Sequence, residues 1–157
     1  MKNVFRASED SVSDGTDAVI EPLIVSWGLY FREDDGVLNR LEVLEDFTNF
    51  WNNPEEDTLI LEGRCYLAGT VFGKSDVSDE SGILTSQVMM ISRVEHKADE
   101  KVSYDLFCIE TQSGSEYFVY SNDLNAYMEY IMREMTKYGT LRHASSRYVS
   151  NNKFGLF

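Results

Sequence analysis

The sequence predicts an α+β protein: a curled antiparallel β-sheet or small β-barrel of about five strands, with two packed helices. Three observations carry this expectation. Period-two alternation of apolar and polar residues recurs in several segments between positions 23 and 121. One such segment, 58–73, is about three times the average strand length, and so long a strand has to bend or bulge. Two other stretches, 38–52 and 123–138, place apolar residues every three or four positions, as amphipathic helices do.

Taken in order, residues 1–17 are polar and acidic and read as a mobile arm. Leu23, Val25, Trp27, Leu29 and Phe31 then alternate as one face of a strand, ended by the turn Glu33-Asp34-Asp35-Gly36. Over Val37–Trp51 the recurrence of Val37, Leu41, Leu44, Phe47 and Trp51 favours a helix, although Leu41–Leu44 also allows a short strand. Asn52-Asn53-Pro54 stops the helix, because proline disfavours helical geometry in the residue before it.

In 58–73 the residues Leu59, Leu61, Gly63, Cys65, Leu67, Gly69, Val71 and Gly73 share one face, with the bend expected at Gly63 or Gly69. Lys74–Ser81 is a polar loop. Strands follow at 83–94, 102–110 and 115–121, with a charged turn at His96–Lys101 and a tight hairpin at Thr111-Gln112-Ser113-Gly114. The whole is expected to be an antiparallel meander in chain order. Ser121 or Asn122 can cap the last helix, Leu124, Tyr127, Met128, Ile131, Met135 and Tyr138 form its apolar stripe, and Gly139 stops it. Residues 18–139 thus make one domain, and 140–157 form a basic-aromatic tail.

Size and composition fit this organisation. The chain has 157 residues, 43% hydrophobic and 13% aromatic, enough for one core without metal or disulfide support. Its two prolines and unpatterned glycines exclude collagen-like and low-complexity classes. Positions 1–17 contain no apolar stretch of signal-peptide type, and no run reaches membrane-spanning length, so a cytoplasmic protein is expected. Cys65 and Cys108 lie in apolar strand runs and read as buried thiols rather than a disulfide framework.

Net charge is −13, and its distribution is uneven. Residues 1–57 hold 14 acids against 4 bases; residues 139–157 hold no acid and the bases Arg142, Arg147 and Lys153. A surface of this sign repels phosphate backbones and anionic membranes, which excludes direct nucleic-acid or membrane binding by the body of the protein. Cations and basic protein surfaces are the favoured partners.

Catalytic sets are sparse. His96 and His143 are the two histidines, and their spacing from Cys65 and Cys108 matches no nucleophile–base motif. Zinc-ligand spacings and phosphate-binding loops are absent from the sequence, and Asp76–Glu80 lacks the alternating ligands of a calcium loop. No metal or cofactor is expected. Glu62, Glu110 and Glu116 sit on strands and could converge as an acid/base pair, though Glu62 beside Arg64 reads more simply as a surface ion pair.

The densest constellation is acidic. Glu33, Asp34, Asp35, Glu42, Glu45, Asp46, Glu55, Glu56 and Asp57 place nine acids within 25 residues. On a helix, Glu42, Glu45 and Asp46 line the outer side, and the flanking turns add a patch at each end. Carboxylates spaced by roughly 5–7 Å imitate a phosphate backbone and suit a basic nucleic-acid groove. In the tail, the bases alternate with Tyr148, Phe154, Leu156 and Phe157, a pattern suited to docking on an acidic body or a second subunit.

Leu61-Glu62-Gly63, Gly69-Thr70-Val71-Phe72-Gly73, Gly82, Thr85-Ser86, Val88 and Ile91 resemble a loose group of short, uncharacterised bacterial and phage-borne proteins. The resemblance continues through Thr111, Ser113-Gly114-Ser115 and Tyr117 and covers about a third of the chain. It implies a small β-barrel and carries no activity. The long loop before Gly82 departs from the group's pattern.

The expected function is therefore a non-enzymatic, acidic protein-binding module, such as an inhibitor or an immunity or anti-defence protein. Its nine acids would occupy a basic, nucleic-acid-binding surface of another protein, for example a nuclease. Two other classes stay open: a structural or self-assembling subunit, and a small enzyme using a strand carboxylate or Cys108.

Overall fold

Residues 20–137 are described by the computed structural model, so the expected arm (1–17) and tail (140–157) lie outside the described residues, as do Tyr138 and Gly139. The elements are β1 (Leu23–Tyr30), α1 (Val37–Trp51), β2 (Thr58–Ile60), β3 (Tyr66–Phe72), β4 (Ser81–Ala98), β5 (Ser103–Thr111), β6 (Glu116–Tyr120) and α2 (Ala126–Lys137). Short 3₁₀ turns cover Glu33–Asp35 and Ser121–Asp123. The class is α+β with a curled sheet, as the sequence predicts.

β4 organises the sheet because its 18 residues are long enough to serve three neighbours, β2, β3 and β5. Its first half pairs with β3, from Val71↔Ser81 to Tyr66↔Gln87, and its second half with β5, from Val88↔Thr111 to Ala98↔Ser103. β5 pairs with β6, and β1 lies between β6 and β3, so a ring of hydrogen bonds runs through five strands. The sheet is mixed rather than wholly antiparallel. β1 and β6 run parallel, registered at Leu23↔Phe118, with the Phe118 N–H donating to the Pro22 carbonyl at 2.9 Å. Trp27 reinforces this thin seam: its Nε1 donates to the Tyr120 carbonyl at 2.7 Å, and its own carbonyl accepts the Asn125 N–H at 2.8 Å.

The expected strand over 58–73 is two strands in line. β2 and β3 both pair with β4 opposite β5, and the turn between them places Glu62 (φ 54°) and Gly63 (φ 81°) in the left-handed region. The bend is therefore at Gly63. Gly69 has a different task, described below.

β1 departs from the expected alternation. Ser26 takes φ 50°, and the register with β3 shifts between Val25 and Gly28. An extra residue in a strand reverses the phase of every side chain beyond it. Ile24 is accordingly buried before the bulge and Trp27, Leu29 and Phe31 after it, while Leu23 and Val25 are only partly covered.

The two helices close the core. α1 occupies the expected stretch to within one residue and buries Val43, Leu44, Phe47 and Phe50. α2 starts three residues later than expected, because Ser121–Asp123 form a 3₁₀ turn and Leu124 is extended. Its cap is Asn125, whose Oδ1 accepts the Met128 N–H at 2.9 Å, not Ser121 or Asn122. Met128, Ile131, Met132 and Met135 face the sheet, whereas Tyr127, expected in the stripe, is exposed. The charged turn is also shorter than expected: His96–Ala98 belong to β4, and Asp99 Oδ1 closes the turn by accepting the N–H groups of Lys101 (2.9 Å) and Val102 (2.7 Å).

The bulge of β1 sits directly on Gly69. A Cβ there would lie 2.4 Å from Ile24 Cγ2 and 2.8 Å from the Val25 carbonyl oxygen, whereas a Cβ at Gly82 would meet nothing within 4 Å. Gly69→Ala is expected to cost about 1–3 kcal/mol in urea unfolding, by overpacking, and Gly82→Ala to stay within about 0.5 kcal/mol. Equal midpoints for the two variants would show that β1 does not press on Gly69.

Candidate functional site

The acidic face is built by the way α1 is seated. Its apolar side meets an aromatic cluster in which Trp27–Phe47, Phe47–Trp51 and Trp51–Phe107 lie 6.1, 5.7 and 5.7 Å apart between ring centroids. Such edge-on and tilted ring pairs fix orientation as well as burying area. With that side inward, Glu42, Glu45 and Asp46 lie on the outer side of the helix, as the sequence reading requires.

The C-terminal end of α1 is held by Arg93 of β4, whose side chain is only 2% exposed. Its Nη2 donates to the Phe50 carbonyl at 2.8 Å, and its Nη1 donates to the carbonyls of Asn53 (3.1 Å) and Glu56. The guanidinium lies over the rings of Phe50 (4.4 Å) and Phe107 (5.4 Å), with Asp105 Oδ1 3.6 Å from its Nε. A cation at this position offsets the negative end of the helix, just where Glu55, Glu56 and Asp57 follow. The other end of α1 begins after Arg32, whose N–H donates to Asp35 Oδ2 at 2.8 Å.

The nine acids do not contribute equally. Arg64, from the β2–β3 turn, reaches Glu42 Oε1 at 2.5 Å and Asp46 Oδ2 at 3.3 Å, and its Nε donates to the Leu61 carbonyl. The sequence reading paired Arg64 with Glu62; the left-handed turn points Glu62 into solvent and brings Arg64 to α1 instead. Asp35 caps its own turn, and Glu56 accepts from Asn53 Nδ2 at 3.0 Å. Glu33, Asp34, Glu45, Glu55 and Asp57 form no ion pair among the described residues. They lie before, along and after a helix about 22 Å long, at 1.5 Å per residue.

The candidate catalytic groups are placed differently. Cys65 is buried, and burial pushes its thiol up to about 12, only partly opposed by the nearby Arg64. Cys108 is buried in a second cluster with Leu106 and Phe118. Glu110 and Glu116 are direct cross-strand partners on β5 and β6, while Glu62 is in the β2–β3 turn. His96 Nδ1 lies 2.5 Å from Asp105 Oδ1 near the far end of β4, and His143 lies outside the described residues. A cleft of about 190 Å³ opens between α1 and α2, lined by Thr48, Trp51, Leu124, Met132 and Thr136 among others, and contains neither Glu110 nor Cys108.

Among the described residues, no group of three or more His, Cys, Asp or Glu is arranged to hold a metal ion, and no helix is long and apolar enough to cross a membrane. Family models, curated proteins and solved structures were all compared with the chain, and none matches it.

Sequence reasoning missed Arg93 and Tyr66. Arg93 had a signal, since it shares the parity of the buried Ile91 within an alternating strand. A charge on the inward side of a strand needs several partners, and a helix C-terminus supplies them. Tyr66 shares the parity of Glu62 and Arg64, the polar side of the expected strand, yet it is buried, and its pairing with Tyr30 depends on register.

The Cys65 burial sets an alkaline limit on stability. The unfolded thiol ionises near 9 and the folded one near 12, so between these values the unfolded state holds fewer protons and stability falls as pH rises. In Cys65→Ala the alkaline slope is expected to shrink by one proton, or about 1.4 kcal/mol per pH unit. Urea unfolding at pH 9–11 measures it; identical slopes would contradict the buried, protonated thiol.

Proposed function

We propose that the protein is a non-enzymatic binding module that acts in the cytoplasm by laying its acidic α1 face on a basic surface of another protein. The surface it fits best is one shaped for nucleic acid, as on a nuclease or a nucleic-acid-binding complex, so that docking inhibits it. The observation that supports this reading is the row of carboxylates Glu33, Asp34, Glu45, Glu55 and Asp57, without ion pairs among the described residues and carried along one rigidly seated helix and its two flanking turns. Fixed charge on a rigid element raises encounter rates with an oppositely charged partner and requires little ordering on binding. Arg64 tempers the centre of the row by engaging Glu42 and Asp46.

Binding of the full chain to a nona-arginine peptide tests the placement of the charge. Neutralising Glu33, Asp34, Glu45 and Glu55 (to Gln or Asn) is expected to weaken binding about tenfold at low salt. Neutralising Glu80, Glu100, Asp123 and Glu134 removes the same charge elsewhere and should cost less than about threefold. Arg64→Met frees Glu42 and Asp46 and should tighten binding. Equal losses from the two neutralised sets would overturn the reading, since only overall acidity would then matter.

A further inference from the structure

Next to the acidic face, the sheet and α1 expose Tyr30, Arg32, Val37 and Leu38. Tyr30 and Tyr66 are opposed across β1 and β3, with ring centroids 6.4 Å apart. The Arg32 guanidinium lies 5.1 Å over the Tyr66 ring, and Gln87 Nε2 is 3.4 Å from the Tyr66 hydroxyl. Period two sends Leu29, Phe31, Leu67 and Val71 inward and leaves Tyr30 44% exposed. The first turn of α1 borders this surface, because Asn39 Nδ2 donates to the Arg64 carbonyl at 3.2 Å, two residues before Tyr66. That turn carries Leu38, which is 81% exposed, and Val37, which is also exposed, whereas Val43, Leu44, Phe47 and Phe50 later in the helix are buried.

Tyrosine and arginine are enriched among the residues that carry binding energy, and exposed apolar side chains such as Tyr30 and Leu38 beside them offer area to bury. The rim is acidic: Glu33 and Asp34 follow Arg32 directly, and Glu45 continues it along α1 beside Glu42 and Asp46, which Arg64 engages. Charge complementarity therefore selects the occupant. Resting on the function proposed above, we infer that Tyr30, Arg32 and Leu38, with Tyr30 backed by the buried Tyr66, form the apolar anchor of the docking face and receive an aliphatic side chain from a basic protein segment. The cations of that segment meet the carboxylate rim while its apolar side chain covers Tyr30 and Leu38. A phosphate-bearing occupant is disfavoured by the same rim.

Two synthetic 12-residue peptides of equal charge separate the anchor from the rim: one alternates Lys and Leu, the other Lys and Ser. The full chain is expected to bind the Lys-Leu peptide about tenfold more tightly. Leu38→Ser and Tyr30→Ser should abolish that preference while leaving affinity for the Lys-Ser peptide unchanged. Leu38→Ser alters a side chain that supports no folded contact of consequence, so it keeps the test independent of stability. Equal affinity for both peptides, or a preference that survives both substitutions, overturns the anchor while salt-sensitive binding leaves the acidic reading standing. Binding of either peptide that ignores neutralisation of Glu33, Asp34, Glu45 and Glu55 would instead remove the acidic reading. A doubled mass in light scattering that Leu38→Ser returns to the single-chain value would assign this face to a second copy and overturn the inference.

Discussion

The seating of α1 depends on one buried cation. Arg93 projects from the second half of β4 into the core and satisfies three carbonyls at and beyond the end of the helix, Phe50, Asn53 and Glu56. Charged hydrogen bonds of this kind contribute about 1.5–3 kcal/mol each, and stripping such a group of its partners costs about 3–5 kcal/mol. The guanidinium is stacked on Phe50 and Phe107, so its planar faces meet rings while its edges meet oxygen. Nε remains without a hydrogen bond, 3.6 Å from Asp105, a defect outweighed by the three carbonyl contacts.

This one attachment links the sheet to the surface chemistry. Arg93 pairs with Phe107 of β5 on one edge of β4 and its N–H donates to the Asp57 carbonyl on the other at 2.7 Å, so its backbone is fixed from both sides. Arg93 transmits that rigidity to the end of α1, and the Trp27, Phe47, Trp51 and Phe107 cluster fixes the rotation of the helix about its axis. Glu42, Glu45 and Asp46 then have only one direction to face. Arg64, at the turn that separates β2 from β3, is the counterpart on the surface: it fastens the outer side of α1 and removes two carboxylates from the free row.

The elements whose period is strong were legible in the sequence. α1, β5, β6 and the Thr111–Gly114 hairpin lie where alternation, helical spacing and turn residues put them, because local pattern and tertiary packing agree there. Ser26 shows where pattern fails: nothing in a serine announces a left-handed residue, yet that one conformation reverses the faces of Leu23, Val25 and Ile24. The delayed start of α2 has a similar origin, since Ser121, Asn122 and Asn125 are all competent caps and the contacts of Trp27 with Tyr120 and Asn125 select the last. The acidic run could be counted in the sequence, but its division into paired and unpaired members could not. That division follows from the β2–β3 turn, which aims Arg64 at α1, and register across a turn is a tertiary property.

Hydrogen exchange of the full chain carrying Arg93→Lys tests the central claim most directly. Lysine keeps the charge but cannot span three carbonyls. Amides from Phe50 to Asp57 are predicted to lose about 3 kcal/mol of protection, roughly a hundredfold in exchange rate, while those of β3 keep theirs. Unchanged protection across the end of α1, or a uniform loss throughout the sheet, would contradict an account in which this side chain fixes the helix that carries the acidic face.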